Sequence, residues 1–431
     1  MKSSTGTTSS SSDATLSLED YVARKAAEAR DASRKLATVS TAAKNAALLA
    51  MAAGIEAGSA EILERNREDV AAATQLTKAA IDRLRLDEKR IREMATGLRE
   101  VAALPDPVGE VLRMARRPNG MQVGKVRVPI GVIAIIYESR PNVTADAASL
   151  CLKSGNAVIL RGGSEAVRSN AAIVSVLRRA LQTAGIPPAA ITFLDNPDRA
   201  AAALLLKQDR LVDVVIPRGG EGLMEFVARE STIPVIKHDK GVCHTYVDEG
   251  ADLAMAEAIC FNAKVQRPGT CNAMETLLVH EAEAEALLPR LGARYREAGV
   301  EIRGCPRTVK LVPGSVPASG SDWGTEFLEL VLAVKVVDGM DAAMEHIARW
   351  GSQHTEAIVT RDHARAMRFL NEVDAAAVLV NASTRLHDGY QLGLGAEIGI
   401  STTRIHARGA MGLEELTSTK YIVLGSGQLR E

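Results

Sequence analysis

Aromatic residues, cysteines and long apolar runs are scarce in this sequence, and each shortage excludes a class of protein. Aromatics make up 3% of the 431 residues, which leaves few rings on which nucleic-acid bases could stack. The 52 lysines and arginines nearly balance the 53 aspartates and glutamates, so no overall positive field attracts a polyanion. No apolar run approaches the roughly 20 residues that span a bilayer. We therefore expect neither a nucleic-acid partner nor a membrane-spanning segment.

Cysteine and histidine usage limits the chemistry further. The five cysteines are an odd number, lack C-x-x-C spacing and follow no apolar leader, so we expect reduced thiols and a cytoplasmic protein. The eight histidines include no H-x-x-x-H pair, and no metal site is expected. Residues 1–15 are rich in serine and threonine and are expected to form a disordered tail.

Two apolar patterns follow each other along the chain. Residues 16–103 carry apolar side chains at helical spacing and predict a helical lead-in. An Asn119–Gly120 pair between two extended segments predicts a hairpin within residues 113–129. Beyond it, apolar runs of strand length alternate with Ala-rich helical segments, which is typical of parallel sheets covered by helices. The sequence therefore predicts an α/β fold with two domains in series, and its strands include 131–137, 157–160, 212–216, 234–237 and 244–247.

Two glycine-rich segments follow predicted strands. Pro217–Gly222 comes after one buried strand and opens a helix, and Arg161–Ser164 comes after another. Glycines at such places allow a backbone to approach a phosphate, although they also simply make tight turns. Because ligands of open α/β sheets bind at the carboxyl ends of strands, we favour phosphate binding.

Cys271 lies between a predicted helix and a predicted strand, where the two domains meet. The neighbouring Pro268 and Gly269 exclude a helix, so the cysteine is expected on a loop. A loop cysteine near backbone N–H groups and Arg267 can have a lowered pKa and act as a thiolate nucleophile. The alternative is an ordinary small buried residue.

Two further polar segments are candidates for function. Tyr137–Asn142 follows the first buried strand, where its polar side chains suit either a substrate or a solvated loop. Lys237–Gly241 places a histidine among charges, which suits either acid–base chemistry or a junction loop.

From about Leu16 to its end, the chain resembles the aldehyde dehydrogenase superfamily, and within it the branch that reduces an acyl phosphate. The resemblance rests on long strings, among them VDVVIPRGG, KVQRPGTCNAMETLLVH, TEFLELVLAVKVVD and LGAEIGISTTRIHARGAMGLEELTSTKYIV. It implies two Rossmann-type domains with a small oligomerisation arm, and hence a homo-oligomer. The implied parts are a cofactor-binding domain (16–110 and 131–250), a catalytic domain (251–405) and an arm (111–130 and 406–431, with a strand at 421–424).

The resemblance implies that Cys271 is the catalytic nucleophile and that Glu326 binds the nicotinamide ribose. Cys271 would attack an acyl phosphate, expel phosphate and form a thioester that hydride reduces to the aldehyde. The implied reaction is NADPH-dependent reductive dephosphorylation of L-glutamyl 5-phosphate to L-glutamate 5-semialdehyde, the second step of proline biosynthesis from glutamate. The alternatives are another acylating aldehyde dehydrogenase, acting on a coenzyme A thioester or a different acyl phosphate, or a non-catalytic protein of this fold.

The implied cofactor is NADP(H). Arg161 matches a lysine that holds the adenosine ribose, and Gly163 lies in the same turn. Ser164 stands where relatives that prefer NAD often place a glutamate against the 2′-hydroxyl, so a 2′-phosphate is not repelled. Gly219 and Gly220 match the turn near the pyrophosphate.

Two departures from the superfamily pattern bear on mechanism. Hydrolytic members carry a water-activating glutamate in a Glu-Leu-Gly-Gly string, whereas residues 236–240 contain none. Without this base the thioester should persist until phosphate or hydride resolves it. At the oxyanion-hole asparagine, an ungapped alignment places Glu138, which would repel an oxyanion, and a shifted alignment allows Asn142, which could donate to one. We expect Asn142 to fill this role.

The implied substrate carries an α-carboxylate and an amino group besides its acyl phosphate. Arg140, Arg267 and Arg404 are the candidate anion-binding residues, because guanidinium groups match the geometry of carboxylate and phosphate. Glutamate 5-kinase, which makes the unstable acyl phosphate, is a candidate protein partner.

Overall fold

The computed structural model describes residues 17–237 and 240–430 of the chain. The expected disordered tail at 1–15 lies outside the described residues, as do two residues of the Lys237–Gly241 motif. The described residues form two parallel sheets that are each covered by helices, a small antiparallel arm and a short β-pair. The predicted α/β fold, with parallel sheets covered by helices, is confirmed.

Helices fill the N-terminal region and cover both sheets. Side chains of Ser17, Ser40, Thr77 and Asp87 each accept a backbone hydrogen bond at the start of a helix, which fixes where these helices begin. The helices in chain order are α1 (Leu18–Leu36), α2 (Thr41–Ala57), α3 (Ser59–Ala72), α4 (Lys78–Leu84), α5 (Glu88–Ala103), α6 (Asn142–Lys153), α7 (Val167–Thr183), α8 (Arg199–Leu205), α9 (Glu221–Glu230), α10 (Leu253–Val265), α11 (Glu281–Glu297), α12 (Pro306–Leu311), α13 (Met340–Trp350) and α14 (His363–Glu372). The predicted helical lead-in is confirmed over its described residues. In the described part of the chain, no single helix is long and apolar enough to cross a membrane, and only the pair α2 and α3, bent by 66°, passes that test jointly by length and composition.

The strands of the described residues fall into four sheets. In chain order they are β1 (Val111–Arg116), β2 (Gln122–Pro129), β3 (Val132–Tyr137), β4 (Ala157–Gly162), β5 (Ile191–Phe193), β6 (Val214–Arg218), β7 (Cys243–Val247), β8 (Met274–His280), β9 (Glu301–Gly304), β10 (Val316–Pro317), β11 (Val331–Val337), β12 (Thr355–Val359), β13 (Ala377–Val380), β14 (Ile400–Ser401), β15 (Gly409–Ala410) and β16 (Thr417–Leu424). The first large sheet has the order β5-β4-β3-β6 and the second has the order β10-β9-β11-β8-β7-β12-β13. All of the pairings within these two sheets are parallel.

The first sheet is buried on both faces. Ile133 and Ile135 of β3 belong to the core that includes α2, α5, α6 and α7. Ala134 and Ile136, which alternate with them, belong to the core that includes α1, α8 and α9. Both faces of the strand need apolar side chains, and this explains its uninterrupted apolar sequence.

The predicted strand at 234–237 is reduced to a single bridge between Val215 and Val235. The backbone N–H of Val215 donates to the carbonyl of Pro234, and the N–H of Ile236 donates back to Val215, both at 2.9 Å. Pro234 has no N–H, so it cannot add a further donor to a ladder.

The expected boundary between the domains at residue 250 stays a prediction, but the strand at 244–247 does not join the first sheet. The strand at 244–247 was assigned to the first domain, but β7 lies inside the second sheet, between β8 and β12. The chain therefore leaves the first sheet after the bridge at Val235 and enters the second sheet at Cys243. The chain also returns to the first domain before its end, since Ile398, Met411 and Leu416 are buried in the first core. The expected boundary at residue 405 also stays a prediction, and burial of these apolar side chains holds the segment on either side of it against the first core.

The arm is the antiparallel sheet β1-β2-β16. The predicted hairpin is confirmed, with Gly120 at a positive φ of 89° in the turn. The strand expected at 421–424 is confirmed and begins earlier, at Thr417. Large apolar side chains of the arm are 42–62% exposed, and they are Val111, Leu112, Met114, Tyr421, Val423 and Leu424.

Candidate active site

Three strands of the first sheet end at one edge and at one level. Tyr137, the last residue of β3, is in register with Gly162 of β4 on one side and with Arg218 of β6 on the other. The loops that follow these strands carry the polar and glycine-rich segments singled out in the sequence. This is the carboxyl edge, where open α/β sheets bind ligands.

The loop between α10 and β8 presents Cys271, whose backbone is held from two sides. The thiol of Cys243 donates to the carbonyl oxygen of Cys271, with a distance of 3.1 Å between sulfur and oxygen. Gly241 packs so closely on the Cys271 backbone that a Cβ at this position would clash with it. The next residue, Asn272, is buried, and its Nδ2 donates to the backbone carbonyl of His387 at 2.9 Å. These contacts therefore fix the backbone of the loop around Cys271, whose side chain has intermediate exposure.

The electrostatic surroundings of Cys271 differ from the sequence prediction. Burial raises the pKa of the thiol to about 11, so the expected lowering of its pKa is wrong. Arg218 is the cation that most lowers this pKa, whereas the carboxylates of Glu326 and Glu397 raise it. The reactive thiolate is therefore a minor species at neutral pH.

Three guanidinium groups lie around this cysteine without anionic partners. Among the described residues, no hydrogen bond or ion pair engages the side chain of Arg140, Arg218 or Arg267. Burial is the main cause that lowers the pKa of the Arg140 guanidinium. The positive charges of Arg218 and Arg267 lower it further. Cations that repel one another in a partly buried site gain free energy when an anion binds among them.

A carboxylate accompanies these arginines. Glu397 Oε2 accepts a hydrogen bond from the backbone N–H of Gly389 at 3.0 Å. Burial, and then the charge of Asp388, raises the pKa of Glu397, while Arg218 lowers it from a distance. Glu397 makes no ion pair with any residue that the structure describes. Opposite charges therefore flank Cys271 without neutralising each other, which suits a ligand with both signs of charge.

One of the predicted anion-binding residues is engaged away from this cluster. Arg404, grouped with Arg140 and Arg267 in the sequence analysis, forms an ion pair with Asp374, which also binds Arg408 at 2.8 Å. The structure therefore does not bring its guanidinium into the anion-binding cluster.

The two candidates for the oxyanion position also have partners. Glu138 Oε2 accepts from the backbone N–H of Gly220 at 2.9 Å, so this carboxylate caps the start of α9. Asn142 is the first residue of α6, and its Nδ2 donates to Asp146 Oδ2 at 3.0 Å. Asn142 stays a prediction as oxyanion donor, because its amide would first have to leave Asp146.

The loops after β4 and β6 have features that fit a dinucleotide. Arg161 is buried and donates to backbone carbonyls, including that of Pro197 at 2.9 Å, but its Nε has no partner among the described residues. Ser164 is exposed next to Gly163. Gly219 leaves room beside the N-terminus of α9, where a Cβ would clash with the Glu138 carboxylate. An unpaired buried donor and a glycine turn at a helix N-terminus are suited to phosphate and ribose oxygens.

Sequence reasoning missed three charged residues of this site. Arg218 lay inside the glycine-rich segment, and its signal was an arginine as the last residue of a buried strand. Arg385 binds Asn272 and donates to Gln266 Oε1 at 2.9 Å. Arg385 and Glu397 come from a late segment of the chain, and only the fold brings them to the cysteine.

Comparison with known proteins agrees with this geometry. Residues 5–308 match the model described as the aldehyde dehydrogenase family. The chain is 56% identical over 418 residues to the gamma-glutamyl phosphate reductase of Thermodesulfovibrio yellowstonii, covering 96% of this chain and all of that protein. It is 57% identical over 412 residues to that of Moorella thermoacetica, covering 95% and 99% of the two chains. The crystal structure of gamma-glutamyl phosphate reductase from Thermotoga maritima superimposes with a TM-score of 0.93 at 48% identity, covering 96% of this chain and 100% of that one.

The chain belongs to the aldehyde dehydrogenase family and, within it, to the gamma-glutamyl phosphate reductases. The resemblance noted in the sequence is thereby confirmed. Membership makes the protein an oxidoreductase that acts on a small molecule with a nicotinamide cofactor.

Proposed function

We propose that this protein reduces L-glutamyl 5-phosphate to L-glutamate 5-semialdehyde and phosphate with NADPH, in the second step of proline biosynthesis. The observation that carries the proposal is the identity of 56–57% with gamma-glutamyl phosphate reductases over nearly the whole chain. The site around Cys271 supports it, because a nucleophile beside unpaired guanidinium groups suits a substrate with an anionic leaving group.

Cys271 is the proposed nucleophile. Its sulfur attacks the acyl carbon, the bond between this carbon and the phosphate oxygen breaks, and phosphate leaves with the electron pair. The glutamyl group is then held as a thioester, and after reduction the bond between carbon and sulfur breaks to release the aldehyde. The pKa of about 11 means that the thiol is protonated before the attack, and the departing phosphate takes up this proton as the bond between carbon and sulfur forms. Arg218 stabilises the developing thiolate, since its charge lowers the pKa of this thiol.

The cofactor is proposed to bind along the carboxyl edge of the first sheet. Arg161, Gly163 and Ser164 would hold the adenosine ribose and a 2′-phosphate, and Gly219 and Gly220 would approach the pyrophosphate. When bound, the reduced nicotinamide supplies the hydride that converts the thioester to the aldehyde.

Glu326 is proposed to hold the ribose next to the nicotinamide. Its carboxylate lies near Cys271, where it raises the pKa of the thiol, and burial raises the pKa of Glu326 itself while the nearby backbone N–H of Gly241 lowers it. A ribose bound there would bring the nicotinamide ring to the thioester carbon.

The charges around Cys271 suggest how the substrate is oriented. Arg140, Arg218 and Arg267 are the proposed partners of its phosphate and α-carboxylate, and Glu397 is the proposed partner of its ammonium group. A Glu397→Gln enzyme should therefore lose the preference for glutamate semialdehyde over 5-oxopentanoate, which lacks the amino group. An unchanged preference would remove Glu397 from this role.

The experiment that tests the function is oxidation of L-glutamate 5-semialdehyde by the purified protein. NADPH should form only when NADP⁺ and inorganic phosphate are both present, because the sequence has no glutamate at 236–240 to activate water. Replacing phosphate by coenzyme A should stop the reaction. Turnover with coenzyme A instead would identify a different acylating dehydrogenase, and no turnover with either would favour a non-catalytic protein.

We also propose that the arm joins copies of this chain into a homo-oligomer in the cytoplasm. The exposed apolar side chains of the arm support this assembly. Glutamate 5-kinase remains a proposed partner, on the ground that its product is unstable in water.

A further inference from the structure

A buried ion pair lies at the base of the Cys271 loop. Lys264, in the last turn of α10, and Glu275, on β8, are both fully buried, and Lys264 Nζ lies 2.5 Å from Glu275 Oε2. The two residues stand on either side of the loop that carries Cys271. A buried pair of this kind is costly to form unless its remaining hydrogen-bonding atoms also find partners.

The second oxygen of Glu275 binds a different segment. Glu275 Oε1 accepts a hydrogen bond from the backbone N–H of Leu328 at 3.1 Å. Leu328 has a positive φ of 55°, a conformation that a leucine rarely adopts, and its side chain is 42% exposed. The hydrogen bond to Glu275 therefore helps to hold the turn at 326–328, since the exposed side chain of Leu328 does not anchor it by burial.

Phe327, which lies between Glu326 and Leu328, has two cationic side chains near its ring. The ring centroid of Phe327 lies 5.9 Å from Lys264 Nζ and 5.2 Å from the guanidinium carbon of Arg303. Lys264 thus contacts both Glu275 and Phe327, so the same ion pair touches the turn at two consecutive residues.

We infer that Lys264 and Glu275 are positioning residues for Glu326, setting where the nicotinamide ribose lies relative to Cys271. This inference rests on the proposed function, in which Glu326 binds that ribose. Neither residue touches a reacting atom, and both act through the backbone and ring of the turn at 326–328. Gly269 of the cysteine loop also faces this turn, since a Cβ there would lie 3.6 Å from the carbonyl oxygen of Leu328. One pair therefore ties together the nucleophile loop and the turn on the cofactor side.

Glu275→Gln is the first test. A glutamine side chain has only one acceptor oxygen, so it cannot use two oxygens to accept hydrogen bonds from Lys264 and from the backbone N–H of Leu328. The measurement is the single-turnover rate of NADPH formation from NADP⁺, phosphate and glutamate semialdehyde, with the deuterium isotope effect of the aldehyde hydrogen. We expect a rate at least tenfold lower, an increased isotope effect and a circular dichroism spectrum like that of the unmodified protein. Glu257→Gln is the matched control, since Glu257 lies with Lys264 on helix α10, and its ion pair with Arg294 at 2.8 Å does not involve the turn.

Loss of one partner of a buried pair can unfold a protein, so a second variant removes both charges. The Lys264→Met/Glu275→Leu enzyme leaves no unpaired buried charge, yet it lacks the bond to Leu328. We expect it to fold and to show the same slow hydride transfer. A folded double variant with an unchanged rate and isotope effect would overturn the inference.

A cycle with Glu326→Gln separates this inference from the proposed function. If Glu275 acts through Glu326, the Glu275→Gln/Glu326→Gln enzyme should be no slower than Glu326→Gln alone. Effects that multiply would overturn the positioning role and leave the ribose role of Glu326 intact. A Glu326→Gln enzyme with an unchanged rate would instead remove Glu326 from the proposed reaction, and this inference with it.

Discussion

The thiol of Cys243 donates a hydrogen bond to the backbone carbonyl of Cys271, so a second cysteine supports the proposed nucleophile. Cys243 begins β7 and is buried, and burial raises the pKa of its own thiol well above the usual range. It is therefore a neutral donor and not a competing nucleophile. Its contribution is to hold the backbone of the Cys271 loop in place through this hydrogen bond.

Cys243→Ala should loosen this loop without changing the reacting groups. The partly buried carbonyl of Cys271 loses its donor, which should lower the free energy of unfolding by about 1 kcal/mol. Displacement of the sulfur should lower kcat by about tenfold, because catalysis is sensitive to small errors in position. Denaturant unfolding and steady-state kinetics measure the two effects. Cys243→Ser keeps a donor and should recover most of the activity, and equal loss in both variants would contradict a hydrogen-bonding role.

Cys271→Ala should abolish phosphate-dependent turnover, because no other described thiol is proposed to reach the substrate. The affinity for NADPH, measured by quenching of protein fluorescence, should change by less than about threefold, since the substitution removes a single atom from a site that binds a large ligand. Mass analysis of a stalled reaction should show a glutamyl adduct on the unmodified protein and none on the variant. An adduct on another residue would refute the assignment.

The raised pKa of Cys271 predicts how its reactivity depends on pH. Below its pKa of about 11, the thiolate fraction rises tenfold per pH unit, so the rate of alkylation by iodoacetamide should rise with this slope between pH 7 and about 10. Arg218 lowers this pKa, and Arg218→Met should therefore raise it and slow alkylation at pH 8 by about three- to tenfold. A structural role alone would not shift the pH profile.

The control for this experiment is Arg361→Met. Arg361 forms an exposed ion pair with Asp252 at 2.8 Å and is remote in sequence from the glycine-rich turns. The pH dependence of Cys271 alkylation in Arg361→Met should match that of the unmodified protein. A profile for Arg218→Met that also matches would show that its charge does not act on the thiol.

How far sequence alone could go is seen by comparing β3 with the segment 234–237. The run at 132–137 is apolar throughout because both faces of the strand are buried, so its sequence is informative by itself. The segment 234–237 is also extended and partly apolar. Pro234 has no N–H to donate to a ladder of strand hydrogen bonds, and the segment contributes only a bridge at Val235. A short apolar run with a proline at its start was therefore over-interpreted.

The site shows the same division between local and distant information. Cys271 and the glycine turn at 219–220 could be found because each lies in a short motif with its own chemistry. The partners of Cys271 could not, since Glu397 and Arg218 come from different parts of the chain and meet only in the fold. The prediction of a lowered thiol pKa was wrong for the same reason. The burial of Cys271 depends on distant segments of the chain and cannot be inferred from its neighbours in sequence.

Ser164→Glu should shift the cofactor preference from NADPH toward NADH. A carboxylate at the exposed position 164 would repel a 2′-phosphate and accept from a 2′-hydroxyl. We expect the KM for NADP⁺ to rise by tenfold or more while that for NAD⁺ falls or stays constant. Ser164→Gln, which has the same size without the charge, should change the KM for NADP⁺ much less. An unchanged preference in Ser164→Glu would count against a 2′-phosphate beside this residue.

The arm predicts an oligomer that a single charge can disrupt. Tyr421 and Val423 are 62% and 56% exposed, and they point to the same face of β16 because side chains alternate along a strand. Burying the charge of Val423→Asp between copies would be costly, so this variant should elute as a smaller species in size-exclusion chromatography with light scattering. Ser418→Asp adds the same charge to the other face of β16 and should leave the mass unchanged. If the unmodified protein is already a monomer, or if Val423→Asp keeps its mass, the arm does not join copies through this face.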